Sequence, residues 1–187
     1  MKADLESRHG AILVCAILAL VTVVAFLPVR HNGFINLDDD TYLTANPHLA
    51  DGLTAETVKF AFTTNRVSTW HPLTWLSHAL DVELFGMDPV GHHFMSLTLH
   101  VAATLILVLV LTGMTGRRWP SAIVALLFAV HPLRVESVAW AAERKDVLSA
   151  LWFTVTLAAD LWYTRRPSVW RDLAVAASFV LGLLAKP

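Results

Sequence analysis

Ala11 to Val29 are nineteen consecutive residues without a charge. That length matches the roughly 20 residues a helix needs to cross the hydrocarbon core of a bilayer. No other feature constrains the fold as strongly. Backbone inside lipid must satisfy its own hydrogen bonds, and a helix does so within one segment. The run is too long for the apolar region of a cleaved signal, and no small-x-small site follows it. It reads as a retained first span, with a cleaved leader as the alternative.

Further spans are expected at about 94–115, 119–133, 135–163 (its apolar run being Val147 to Tyr163) and 172–187. The third is short and is expected to tilt or to end in a wetter, protected place. The fourth contains Asp160, and its helix is expected to begin near Val135. The spacing therefore predicts a single all-α transmembrane domain, a polytopic membrane helix bundle whose first span covers about 11–29. Its large outer loop, residues 30–93, is expected to hold short membrane-parallel helices. Composition agrees. The 187 residues are 56% hydrophobic and 16% charged, against about 25% charged in a soluble domain. Disorder and most soluble enzymes are excluded. With 14 Lys+Arg against 15 Asp+Glu, no basic field exists for nucleic acid. One cysteine, Cys15, makes neither a disulfide framework nor a thiolate metal site.

Orientation follows from Lys and Arg beside the spans. A cytoplasmic N-terminus puts Lys2, Arg8, Arg117, Arg118, Arg165, Arg166 and Arg171 in short inner segments. The long loop then lies outside with Arg30, Lys59 and Arg66. The second outer loop mixes Arg134, Arg144 and Lys145 with Glu136, Glu143 and Asp146. Such a mixture at a membrane fits a site better than a topology signal.

The long loop opens with Gly33-Phe-Ile-Asn-Leu-Asp-Asp-Asp-Thr-Tyr-Leu-Thr-Ala-Asn46. Asp38, Asp39 and Asp40 repel one another, which favours protonation of one unless a cation offsets them. A carboxylate so tuned is a candidate general base. The plain alternative is a solvated turn. A calcium loop is disfavoured because Leu43 stands where glycine is required. Thr54 to Phe62 reads as a short helix capped by Thr54 or Asp51, with Val58, Phe62 and Leu53 on one face. Trp70 to Leu80 reads as a second, with Pro72 in its first turn and Trp75, Leu76 and Leu80 burying one side. Phe85 to Gly91 is a turn into the second span. His71 and His78 are seven apart, as are His93 and His100. Seven residues is about 10 Å along a helix, too far for one ion, so interfacial or hydrogen-bonded histidines are expected. His100 lies inside a span, where an ionisable group is usually functional.

Phe128 to Asp146 is the densest polar stretch of the apolar half. A helix from Val135 puts Glu136, Trp140 and Glu143 on one face, flanked by Arg144 and Asp146. His131 is held by Pro132. Charges among headgroups need each other or a ligand. Arg and Lys there suit a lipid phosphate, a self-paired salt-bridge cluster being the alternative. Lys186 is placed to join either.

Taken together, Leu37-Asp-Asp-Asp-Thr-Tyr, His71-Pro-Leu-Thr, Phe85-Gly-Met-Asp-Pro-Val-Gly-His-His, Phe128-Ala-Val-His-Pro-Leu-Arg-Val-Glu-Ser-Val-Ala and Glu143-Arg-Lys-Asp-Val-Leu resemble bacterial membrane proteins with C-terminal tetratricopeptide repeats. Those are similar to the eukaryotic transmembrane-and-tetratricopeptide O-mannosyltransferases, of the GT-C superfamily of polyprenyl-phosphate-sugar-dependent glycosyltransferases. The resemblance covers nearly everything after Val29. It implies an acidic pair at the catalytic centre, matched by Asp38 and Asp39 with Asp40 beside them. It implies donor-phosphate binding by Arg144 and Lys186, supported by His131, Glu136 and Asp146. The implied reaction moves a sugar from a polyprenyl-phosphate donor to a hydroxyl acceptor, generally a protein, on the outer face of a bacterial cell membrane. A divalent metal is left open, because some members of the superfamily use one and others do not. The chain carries no tetratricopeptide period, so it is expected to be an N-terminal fragment, inactive alone. The alternatives are a non-catalytic scaffold, or a transporter, which would need charges along its spans. Here the polar groups crowd at one face.

Overall fold

The computed structural model describes residues 2–66 and 69–187, with side chains from residue 9 onward, so Lys2 and Arg8 fall outside the described side chains. The chain is all-α, with no strand among the described residues. Helix α1 (Lys2–Phe26) ends in a 3-10 turn at Leu27–His31. The loop carries a wide turn at Asp40–Thr44, then α2 (Ala55–Thr63) and α3 (Pro72–Phe85). Helices α4 (Pro89–Thr115), α5 (Arg118–Val130), α6 (Arg134–Ala139), α7 (Arg144–Arg165) and α8 (Val169–Ala185) follow.

Local chemistry sets the boundaries. The Thr54 hydroxyl caps α2 by accepting from the Thr57 amide at 3.1 Å, which relieves one orphan donor of the first turn. Pro72 and Pro89 sit in first turns, where the missing N–H costs nothing. Asp88 caps α4 through the Val90 amide at 3.0 Å. Gly116 closes it with φ 68, a left-handed geometry that favours glycine.

The helices alternate in direction, as contacts at the two ends show. At one end, Gly10 of α1 lies against the Arg118 guanidinium that opens α5. At the same end the Arg165 guanidinium donates to the Gly113 carbonyl, joining the ends of α7 and α4. Trp119, Trp162 and Trp170 are exposed there, as suits a membrane interface. At the opposite end the loop meets the close of α1, the starts of α4 and α7, and the close of α8. Thr74 of α3, for instance, donates to the Ala185 carbonyl at 2.8 Å.

Three segments, His9–His31, Pro89–Thr115 and Ala141–Arg165, are long and apolar enough to cross a membrane. Their outward residues are apolar, including Ile12, Leu20, Leu109 and Phe153. An apolar surface of that extent has lipid as its natural neighbour. The architecture is that of a polytopic membrane helix bundle. Helix α5 has 13 residues, about 20 Å of rise, and is shorter than the spans beside it.

Surroundings decide two local details, the second of them against the sequence expectation. Helix α2 buries Thr57 and Ala61, while Leu53, Val58 and Phe62 are exposed. Apolar periodicity marks the face turned from water, and beside a bilayer that face need not be the protein-facing one. The helix expected from Val135 is interrupted as well. Trp140 is extended, with φ −110 and ψ 123, so Glu136 and Glu143 stand on separate elements. The cause is tertiary: the freed Ala142 amide donates to the Asp39 carboxylate at 2.9 Å.

Candidate functional site

The acidic triplet leaves the bundle on a short extended segment and turns back against it. Its three carboxylates are not equivalent. Asp39 is 1% exposed. One of its oxygens accepts from the Ile35 amide at 2.9 Å, the other from the Ala142 amide at 2.9 Å. It thereby pins the loop to the break between α6 and α7. Asp40 turns inward on its own chain, accepting from the Thr41 amide at 2.7 Å. Asp38 is half-buried, and its carboxylate has no hydrogen-bond or ion-pair partner among the described residues. Such a carboxylate keeps its lone pairs for an incoming donor.

An aromatic floor underlies this turn. The Tyr42 ring stacks on Trp75 at 4.9 Å and on His71 at 5.6 Å. Lys145 Nζ lies 5.2 Å above the same ring and pairs with Glu143 at 2.7 Å. Burial pushes the Tyr42 hydroxyl above its ordinary range, with the Lys145 charge opposing. His71 is pushed down to about 4, first by burial and then by Lys145. Burial and Arg144 push His78 well below its usual range. Both rings are neutral at pH 7.

That has a consequence for stability. Above pH 6.5 His71 is neutral in folded and unfolded chains alike, and its contribution is whole. As pH falls from 6.5 to about 4 the unfolded chain takes up a proton that the folded chain refuses. Stability should fall by about 3 kcal/mol from this group across that window. Melting of detergent-solubilised protein at pH 7 and pH 4.5 checks this. His71→Phe should make the decline shallower, His78 still contributing its own share, and an equally steep decline in that variant would contradict it.

Arg144 begins α7 and is fully buried. Its guanidinium reaches Asp81 at 2.6 Å, the His92 carbonyl at 2.6 Å, Ser96 at 2.9 Å and Ser77 at 3.1 Å. This charge is committed to α3 and α4. Asp81 also lies 3.3 Å from His92 Nδ1. The His92 Nε2 lies 3.1 Å from the Gly86 carbonyl. A carbonyl can only accept, so Nε2 carries a hydrogen. His78, Asp81 and His92 present ligand atoms within 4.8 Å of one another. These residue types fit a divalent ion of the zinc kind, and a backbone carbonyl behind a ligating imidazole is the usual support. The cluster could coordinate a divalent metal, in competition with Arg144 for Asp81. It is built from α3 and α4, not from the acidic triplet.

The remaining expected residues lie at the same end of the bundle. Asp146 pairs with Lys186 and accepts from the Ser137 hydroxyl at 3.2 Å. His131 is exposed, and its Nδ1 accepts from the Leu133 amide at 3.3 Å. Glu136 is exposed beyond it. The His100 Nε2 meets the Ala129 carbonyl at 2.9 Å, which ties α4 to α5. Sequence reasoning passed over Asp81, the acid three residues beyond His78 on a buried helix face. It also passed over Lys145 as the cation beside Tyr42. Its spacing of three from His78, on the face that also carries the buried Trp75, was the available signal for the first.

Comparison with known proteins follows this geometry. The chain is similar to Protein O-mannosyl-transferase Tmtc1 of Drosophila melanogaster, 36% identical over 97 residues, covering 52% of this chain and 11% of that protein. It is 31% identical over 117 residues to Protein O-mannosyl-transferase TMTC3 of Homo sapiens, covering 60% and 12%. It is 39% identical over 98 residues to Protein O-mannosyl-transferase TMTC1 of Mus musculus, covering 52% and 10%. The chain thus spans about a tenth of the length of the curated relatives it matches. No family model and no solved structure matches it. The chain is thus distantly related, over about half its length, to proteins named as O-mannosyl-transferases.

Proposed function

We propose that this chain forms the N-terminal part of a GT-C-like glycosyltransferase that moves a sugar from a polyprenyl-phosphate donor to a hydroxyl acceptor. The acceptor is a protein, and the reaction face is the loop end of the bundle, on the outer side of a bacterial cell membrane with the N-terminus inside. The observation that carries this reading is the unpartnered Asp38 beside a pinned Asp39. A pinned neighbour fixes where the free carboxylate stands, which is the geometric requirement for a general base.

In this reading the Asp38 carboxylate takes the proton of the acceptor hydroxyl. The hydroxyl oxygen forms a bond to the anomeric carbon as the bond from that carbon to the phosphate oxygen breaks. The electron pair leaves with the lipid phosphate, and the anomeric centre inverts. Asp39 holds the loop, and Asp40 shapes the turn. Lys186, 46% exposed on its side chain, offers charge to the departing phosphate. Arg144 could bind that phosphate only by releasing Asp81, so its part here is to position α7 against α3 and α4. His131 and Glu136 edge the same face. Five traverses, with α5 and α8 completing the three long spans, complete the topology.

The test is the protein extended to its natural C-terminus, purified in nanodiscs and given a panel of radiolabelled polyprenyl-phosphate sugars, with and without chelator. Wild type should transfer or release sugar from one donor, and the Asp38→Asn/Asp39→Asn double variant should not. Full activity in a correctly inserted double variant would sink the mechanism. Loss of activity on chelation would give the His78–Asp81–His92 cluster a role in turnover.

A further inference from the structure

Where α3 packs on α4, the ligand atoms of His78, Asp81 and His92 come within 4.8 Å of one another. His78 and Asp81 are three residues apart on α3 and share a face. His92 stands in the opening turns of α4, beyond the turn at Gly86. All three side chains are fully buried, so whatever satisfies them lies inside the protein.

Their hydrogen bonding is incomplete. Both ring nitrogens of His78 lack a hydrogen-bond partner. Asp81 Oδ2 is paired with Arg144, whereas Oδ1 has no hydrogen-bond partner. The His92 Nε2 keeps its hydrogen for the Gly86 carbonyl, so the neutral ring would meet a cation through Nδ1. Protein interiors pair nearly all buried polar atoms, and electron-pair donors gathered this closely need positive charge among them. Arg144 supplies it on one side only. Its donors go to Asp81, Ser77, Ser96 and the His92 carbonyl, and none goes to His78.

We infer that His78, Asp81 and His92 form a structural site for a zinc-class ion, loaded against the charge of Arg144, that clips α3 to α4. Two imidazoles and one carboxylate suit a borderline ion of tetrahedral preference. Magnesium and calcium take six or more oxygens and find one carboxylate here. Tetrahedral zinc sets its donors about 3.4 Å apart, so the cluster closes by about an ångström to bind. The His78 ring, held by no hydrogen bond, is free to make that movement. A water or the second Asp81 oxygen completes the tetrahedron, and the Gly86 carbonyl behind His92 is the support a ligating imidazole uses. Full burial makes the role structural, since no substrate reaches the ion. The Arg144 charge on the same carboxylate opposes the ion and sets its affinity. This goes beyond the transferase reading and does not depend on it.

Binding is measured with the metal alone. The protein extended to its natural C-terminus is purified in nanodiscs, stripped with chelator, and titrated with zinc or cobalt. Wild type should hold about one zinc ion per chain more than His78→Leu. Its cobalt form should show the strong visible bands of a four-coordinate site. Zinc should bleach those bands, and about a thousandfold excess of magnesium should not. His78→Leu should lose both ion and bands. Its stripped form should melt no lower than stripped wild type, because the change removes two unpaired buried nitrogens. Arg144→Met should bind zinc about tenfold more tightly than wild type, because the opposing charge is gone. His48→Gln, in the loop, should change nothing. Equal zinc content in wild type and His78→Leu would overturn the inference. So would weak, six-coordinate cobalt bands in wild type, or displacement of the ion by magnesium. Should His78→Leu fail to fold, His78→Gln gives the same comparison. None of these readouts involves a sugar, so failure here leaves the transferase reading standing, and failure of sugar transfer leaves this site standing.

Discussion

Asp81→Asn should be the most destabilising single change in the chain, costing about 3–5 kcal/mol. The carboxylate is fully buried and lies 2.6 Å from Arg144 and 3.3 Å from His92. Removing it leaves a guanidinium that has no exposed surface and only neutral acceptors. Burying an uncompensated charge costs more than the lost pair ever contributed. The melting temperature in detergent should fall by roughly 10 °C. The double change Asp81→Leu/Arg144→Met should recover most of the loss, because an apolar pair of similar volume carries no desolvation cost. An Asp81→Asn variant that melts with wild type would show that Arg144 is not held as described. The recovered double variant also separates roles. If it is stable yet inactive in the donor assay, the buried pair matters for placing the start of α7 and not only for folding.

The helices that cross the bundle could be read from sequence because lipid demands it. Inside hydrocarbon a helix must be apolar for its whole length, and the uncharged run from Ala11 announces itself without knowledge of its neighbours. Helices α2 and α3 were legible from Thr54 and Pro72, whose capping chemistry is local. The break at Trp140 was not. No proline or glycine lies between Leu133 and Glu143, and the break exists because Asp39 takes the Ala142 amide from over a hundred residues away. The histidines teach the same lesson. Spacing along one helix pairs His71 with His78 and His93 with His100, whereas packing of α3 on α4 brings His78 to His92. The charges of the second outer loop could be recognised as a cluster. Which of them is buried could not, since Arg144 and Lys145 are adjacent in sequence and differ only in which way α7 turns them. Arg144 enters the gap between α3 and α4, while Lys145 rises over Tyr42.

That distinction between neighbours is sharpest at the acidic pair, where two single variants should part. Asp38→Asn should reduce turnover by about 10²–10⁴-fold, the usual worth of a general base, and leave melting unchanged, because the side chain has no partner to lose. Asp39→Asn should behave differently. Each Asp39 oxygen accepts a backbone N–H, so an amide must place its own NH2 against one of them. One buried hydrogen bond is lost and a donor faces a donor, which costs about 1–3 kcal/mol. Turnover then falls because the loop is no longer held against the α6–α7 break, and lower temperature should restore part of it. Asp38→Asn should show no such recovery, since its defect is chemical. Donor turnover measured at two temperatures beside a melting curve reads both effects. Undiminished turnover in Asp38→Asn, with loss confined to Asp39→Asn, would transfer the base to Asp39 and leave Asp38 as an ordinary residue of a solvated turn.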